Sequence, residues 1–127
     1  MPLKPLGQNK DFPLLSEVTA LVIKSQILLE KRLDKEVAKL GDVRFMALLG
    51  LFIGKTGAPV DMLVIGDVDK HALKNLMAEM EKDLGCEVNY ALMTAEEYRY
   101  RRDIHDRFLQ SILDAPKNVL IDRMERK

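Results

Sequence analysis

The chain has 127 residues and a formal net charge of zero, with 47% apolar and 31% charged residues. That length suits one domain with its own core, and the charge balance excludes bulk attraction to nucleic acid or an acidic membrane surface, while leaving room for a local basic patch. A single cysteine, Cys86, excludes an intramolecular disulfide, and with only two histidines the chain lacks the ligands of a structural zinc site. No run approaches the ~18 apolar residues of a membrane span, and no secretory signal precedes the first helical pattern. The expectation is a cytoplasmic protein with no membrane partner.

Residues 1–9 carry Pro2, Pro5 and Gly7 without periodicity. They read as a flexible tail or the cut end of something longer, and residues 10–127 as one domain. From Phe12 the pattern turns helical, with Leu14, Val18, Leu21, Val22, Ser25, Leu28, Leu29, Leu33, Val37 and Leu40 at three- and four-residue steps. Pro13 suits the first turn and Gly41 the stop. The run reads as one long helix, or as two with a break near Lys24-Ser25.

Two short apolar runs follow, VRFMALLGLF (43–52) and VDMLVIG (60–66), which read as buried strands. The stretch from Gly54 to Pro59 is too short for a crossover helix, so the two strands are expected to be antiparallel neighbours. Asp67 and Asp69 stand where the next helix begins and read as caps. That helix has a core face of Leu73, Leu76, Met77, Met80 and Leu84 and stops at Gly85. Cys86 reads as a buried, unreactive thiol, since a reactive one needs a basic neighbour.

EVNYALM (87–93) reads as a third strand, reached from the second by a right-handed parallel crossover. Thr94 and Glu97 have capping-box spacing for a short helix, EEYRYRR. Asp103 is a candidate cap for another, with Ile104, Phe108, Ile112 and Leu113 as its apolar positions. Pro116 stops it, and NVLID (118–122) reads as the final strand. The order is α-β-β-α-β-α-α-β, an α/β (α+β) class in which helices cover a small mixed sheet.

Three stretches invite chemistry. Gly54-Lys55-Thr56 suggests a phosphate loop, but Gly50 lies one residue too close for the Walker spacing and a strand follows where a helix N-terminus is needed. An exposed hairpin tip is the simpler reading. Asp61 is an acid in an apolar run, but a two-metal site needs several acids converging on ions about 4 Å apart. EYRYRRDIHDRF (97–108) interleaves Arg99, Arg101, Arg102, His105 and Arg107 with Tyr98 and Tyr100, as phosphate- and base-binding surfaces do. Asp103 and Asp106 cancel charge there, and a salt-bridged helix pair accounts for the same residues, with His105 on the surface.

Residues 43–122 resemble the small nucleotidyltransferase-fold domains of bacteria and archaea, the minimal nucleotidyltransferase type. Gly50 matches the first glycine of that signature, Gly54 the loop glycine, and VDMLVIGDVD the second strand and helix start. KDLGCEVNYALMTAEEYRYRRD and FLQSILDAPKNVLI are similar to the end of such domains. NKDFPLLSEV resembles the junction in members where a winged helix-turn-helix precedes this domain in a transcriptional regulator. The resemblance implies a nucleotidyltransferase-like fold and, in active members, Mg²⁺-dependent transfer of a nucleoside monophosphate.

The departures shape the expected function. Leu51 stands where the family has serine, the loop is one residue short, Pro59 replaces the first acid, and Asn89 occupies a frequent third acid position. Asp61 is the sole retained acid and the one metal candidate, and no catalytic residue is assigned. The expectation is a catalytically degenerate nucleotidyltransferase-like domain acting as a regulatory, ligand- or partner-binding module. Homodimerisation is open, through the long first helix or otherwise, and DNA would be reached through a preceding winged helix. The alternatives are a residual enzyme and an antitoxin-like interaction domain. In the enzyme reading Mg²⁺ and a nucleotide are cofactors, Gly50, Gly54, Lys55 and Thr56 hold the nucleotide, and Arg99, Arg101 and Arg102 hold a phosphate or partner. Otherwise no cofactor is expected.

Overall fold

The structure, a computed structural model, describes residues 12–55 and 57–124, with α-helical side chains described from residue 19 apart from 34, 35, 37 and 38. The expected tail at 1–9 and the side chains of Leu14, Val18 and Val37 lie outside that range.

The described elements run α1 (Phe12–Leu40), β1 (Gly41–Leu48), a 3-10 turn (Gly50–Ile53), β2 (Met62–Val68), α2 (Lys70–Leu84), β3 (Tyr90–Met93), α3 (Ala95–Asp103), α4 (Arg107–Asp114) and β4 (Asn118–Asp122). The strands form one mixed sheet in the order β3-β2-β1-β4. β1 is antiparallel to both β2 and β4, while β2 and β3 are parallel. The expected α/β class and hairpin are present, and α2 is the crossover between the parallel pair.

Alternation along the central strands sorts the core into two layers. Met46 and Leu48 of β1 and Met62 and Val64 of β2 pack with Leu29 and Leu40 of α1 and with the whole predicted face of α2. Ala47 of β1, Leu63 and Ile65 of β2 and Met93 of β3 pack instead with Leu109 and Ile112 of α4. The sheet therefore lies between α1 and α2 on one face and α3 and α4 on the other. Each central strand is buried on both faces, which is why it reads as a continuous apolar run.

α1 is a single unbroken helix of 29 residues, about 43 Å long at 1.5 Å per residue. Ser25 does not break it: its hydroxyl donates to the Val22 carbonyl at 2.7 Å, satisfying a side chain with no exposure. Arg32 ties α1 to α2, donating to Asp83 at 2.6 Å and also meeting Glu79.

The structure departs from the sequence expectation at several boundaries. The first strand ends at Leu48, not at residue 52. The chain then curls into the 3-10 turn and drives Phe52 into the α1–α2 core at zero exposure. Gln26 Nε2 donates to the Phe52 carbonyl at 2.8 Å and holds the turn beneath α1. β3 begins at Tyr90 rather than Glu87, because the backbone N–H groups of Val88 and Asn89 are taken by the carboxylates of Glu81 and Asp61.

Asp69 caps α2, accepting from the N–H groups of His71 and Ala72. Asp67 does not share that role: it lies in β2 opposite Asp42. Thr94 accepts from Glu97 N–H as predicted, but the Glu97 carboxylate turns to Arg101. Asp106, not Asp103, caps α4. The two acids stand three residues apart, and burial of Leu109 and Ile112 selects the later cap. Ile104 and Phe108 are 53% and 42% exposed, contrary to the apolar face assigned to them.

Truncating Phe52 to alanine removes the side chain that anchors the turn in the core. The expected cost is about 3–5 kcal/mol, measured as a lower urea midpoint with an unchanged slope.

Candidate functional site

The turn between β1 and β2 is organised by Asp61, the residue just before β2. Its backbone carbonyl accepts from Leu49 N–H at 2.8 Å, and its own N–H donates to the Asn89 carbonyl at 2.7 Å. Its side chain is engaged on both oxygens: Leu51 N–H donates to Oδ1 at 2.9 Å and Asn89 N–H to Oδ2 at 3.0 Å. The carboxylate thus spans the entry to the 3-10 turn and the approach to β3. It receives main-chain donors in the manner of a helix cap.

The other predicted residues fall around this corner. Gly50 opens the 3-10 turn with a buried, left-handed backbone, and Gly54 closes it. Lys55 is exposed, and its N–H donates to the Gly50 carbonyl at 3.0 Å. Thr56 lies outside the described residues. Leu51, where a serine was expected from the resemblance, packs at the margin of the α1–α2 core. Pro59 and Asn89 are exposed, and neither adds a carboxylate.

Among the described residues, no three His, Cys, Asp or Glu side chains are grouped to hold a metal ion. Asp67 does not join Asp61, since six steps along the strand set them about 20 Å apart. The Mg²⁺ that the resemblance implies for active members sits, in a two-metal site, among several converging carboxylates. Asp61 alone, with a main-chain donor on each oxygen, does not fit that ion.

The arginine stretch forms a separate constellation on α3. Arg101 bridges Glu97 at 3.5 Å and Asp106 at 3.1 Å. The Arg102 guanidinium lies 5.6 Å from the centre of the Tyr98 ring, a cation–π contact. Arg99 is exposed, as is His105, which adopts a left-handed backbone between α3 and α4. The predicted salt-bridged helix pair is therefore present for Arg101.

One feature escaped the sequence reading. A groove between α1 and β4 is lined by Gln26, Leu29, Glu30, Leu33, Leu48, Asn118 and Leu120. Leu120 is 41% exposed there, and Val119, which pairs with Ala47 of the other layer, is 44% exposed, because β4 is the sheet edge. An apolar strand signal such as NVLID does not distinguish an edge from a central position. No protein-family model, curated protein or solved structure matches the chain.

Two titrating groups give direct tests of this geometry. The Leu109 N–H, and after it the Arg101 guanidinium, hold Asp106 below the usual carboxylate range against an opposing effect of burial. A depressed folded value makes this contribution fully present above the unfolded carboxylate value, near pH 4, and lost as pH falls through the folded one. Asp106→Ala is expected to melt at a lower temperature than the wild type at about pH 7, with the gap closing in acid. Burial, and then the charges of Asp61 and Glu81, push the Cys86 thiol up. At about pH 7, Cys86 is expected to react with an aromatic disulfide reagent more slowly than free cysteine does.

Proposed function

We propose that this chain is a nucleotidyltransferase-like domain without catalytic power, serving as a regulatory module that binds a ligand or protein partner. It is of the kind that follows a winged helix in transcriptional regulators. The observation that carries this reading is the state of the acidic positions. Of the three that the resemblance implies, Pro59 and Asn89 carry no charge, and Asp61 has each carboxylate oxygen occupied by a main-chain N–H.

Metal-dependent nucleotidyl transfer places carboxylates on ions that polarise the attacking and leaving oxygens. A neutral proline and asparagine do not supply that charge. An ion on Asp61 would have to share its two oxygens with the Leu51 and Asn89 donors already there. A binding role asks none of this. The groove beside α1 and the exposed side chains of Ile23, Ile27, Val119 and Leu120 offer apolar surface for contact.

Titration calorimetry with ATP, CTP, GTP and UTP, each with Mg²⁺ or Mn²⁺, separates this reading from the enzyme. The expected result is no metal-dependent heat and no transfer of labelled nucleotide to the protein, to RNA or to small acceptors. Tight metal-dependent binding that disappears in a folded Asp61→Asn variant would sink the proposal.

A further inference from the structure

Gly50 and Asp61 meet across the turn. A Cβ placed on Gly50 would lie 2.4 Å from Asp61 Oδ1, and the backbone at Gly50 is left-handed, with φ of +49°. The same oxygen accepts from Leu51 N–H, the residue after Gly50. The other oxygen holds Asn89 N–H, 28 positions along the chain.

The geometry points to a latch: Gly50 and Asp61 act as a coupled pair in which the glycine leaves space for the carboxylate, and the carboxylate pins the 3-10 turn and the start of β3 to β2. Asp61 is then a positioning residue of the fold, and Gly50 is required by the side chain it faces as well as by its own backbone. The inference concerns what the carboxylate holds in the folded chain, and it stands whether or not a nucleotide binds.

The mechanism is local and balanced in hydrogen bonds. Leu51 N–H and Asn89 N–H belong to segments that leave the regular ladders, so the sheet does not supply their acceptors. A carboxylate has two oxygens and lone pairs for both, and accepting from main-chain donors strengthens each bond through its charge. An asparagine at position 61 retains one acceptor oxygen but presents an NH₂ group where the second acceptor stood. An alanine retains neither. A Cβ at position 50 collides with the carboxylate only while the carboxylate is there.

That last dependence gives a test that a merely buried or merely strained position does not pass. The full chain and its Asp61→Asn, Asp61→Ala, Gly50→Ala and Gly50→Ala/Asp61→Ala variants are melted without metal or nucleotide. Amide exchange is followed by NMR in the wild type and in Asp61→Asn. Each single variant is expected to lower Tm by about 5 °C or more. The double variant should lose clearly less than the sum of its parts, because removing the carboxylate removes the collision and leaves only the backbone cost at position 50. In Asp61→Asn, exchange at Leu51 or Asn89 should accelerate by about tenfold or more over the neighbouring amides. Additive losses, or unchanged protection at both amides, would overturn the latch. If Asp61→Ala does not fold, rescue of folding by the added Gly50→Ala is not expected, and the exchange experiment on Asp61→Asn decides alone.

Discussion

The antiparallel pairing of β1 with β2 is the contact on which every other element docks. Its register runs from Gly41 against Val68 to Leu48 against Met62, with one irregularity between Val43 and Phe45. Because side chains alternate across a strand, this single pairing presents two apolar faces at once. Met46, Leu48, Met62 and Val64 make one, and Ala47, Leu63 and Ile65 the other. Each face then needs a helical cover, which α1 with α2 and α3 with α4 supply. The remaining strands add to the outer edges of the pair, β3 beside β2 and β4 beside β1.

A sheet corner of this kind leaves a problem where the chain turns. Between Leu48 and Met62 the described backbone leaves the strands, and its donors need other partners. The 3-10 turn satisfies some locally, as where Phe52 N–H donates to the Leu49 carbonyl. Asp61 meets one more, Leu51 N–H, with its side chain, and its other oxygen takes Asn89 N–H at the approach to β3. A carboxylate used in this way is tied into the hydrogen bonding of the turn, with one main-chain donor on each oxygen. Structural satisfaction and metal binding compete for one side chain. The absence of further acids at Pro59 and Asn89 leaves the structural use unopposed.

Much of the architecture was legible because its signals are local. The face of α2 was read correctly from spacing alone, and Asp69 and Gly85 marked its ends, as the structure shows. The edges of β1 and β3 were not legible, for two different reasons. In MALLGLF the apolar run continues through the end of the strand, since Phe52 is as buried in the turn as Met46 is in the sheet. Composition cannot mark a change of backbone that keeps the same burial. In EVNYALM the ladder starts late because Asn89 donates to a residue 28 positions earlier, a contact that no window of sequence contains. The same limit hid the candidate site's main feature. Asp61 was visible as an isolated acid, but the donors that occupy it come from folding. The choice between Asp103 and Asp106 as caps likewise turned on which phase buries Leu109 and Ile112.

The basic stretch on α3 shows how neighbours change what a motif can do. From residue 96 to residue 107 there are four arginines, at 99, 101, 102 and 107, against four acids, at 96, 97, 103 and 106, so the formal balance is zero. Phosphate recognition draws on a local excess of positive charge and on guanidinium donors left free to fork around oxygens. Here Arg101 divides its donors between Glu97 and Asp106, and it helps hold the cap of α4 in place. Arg102 lies against Tyr98, whose ring packs on the α4 side of the sheet. Arg101 therefore ties α3 to the start of α4, Arg102 meets Tyr98 within α3, and Arg99, Tyr100 and Arg107 stay on the surface.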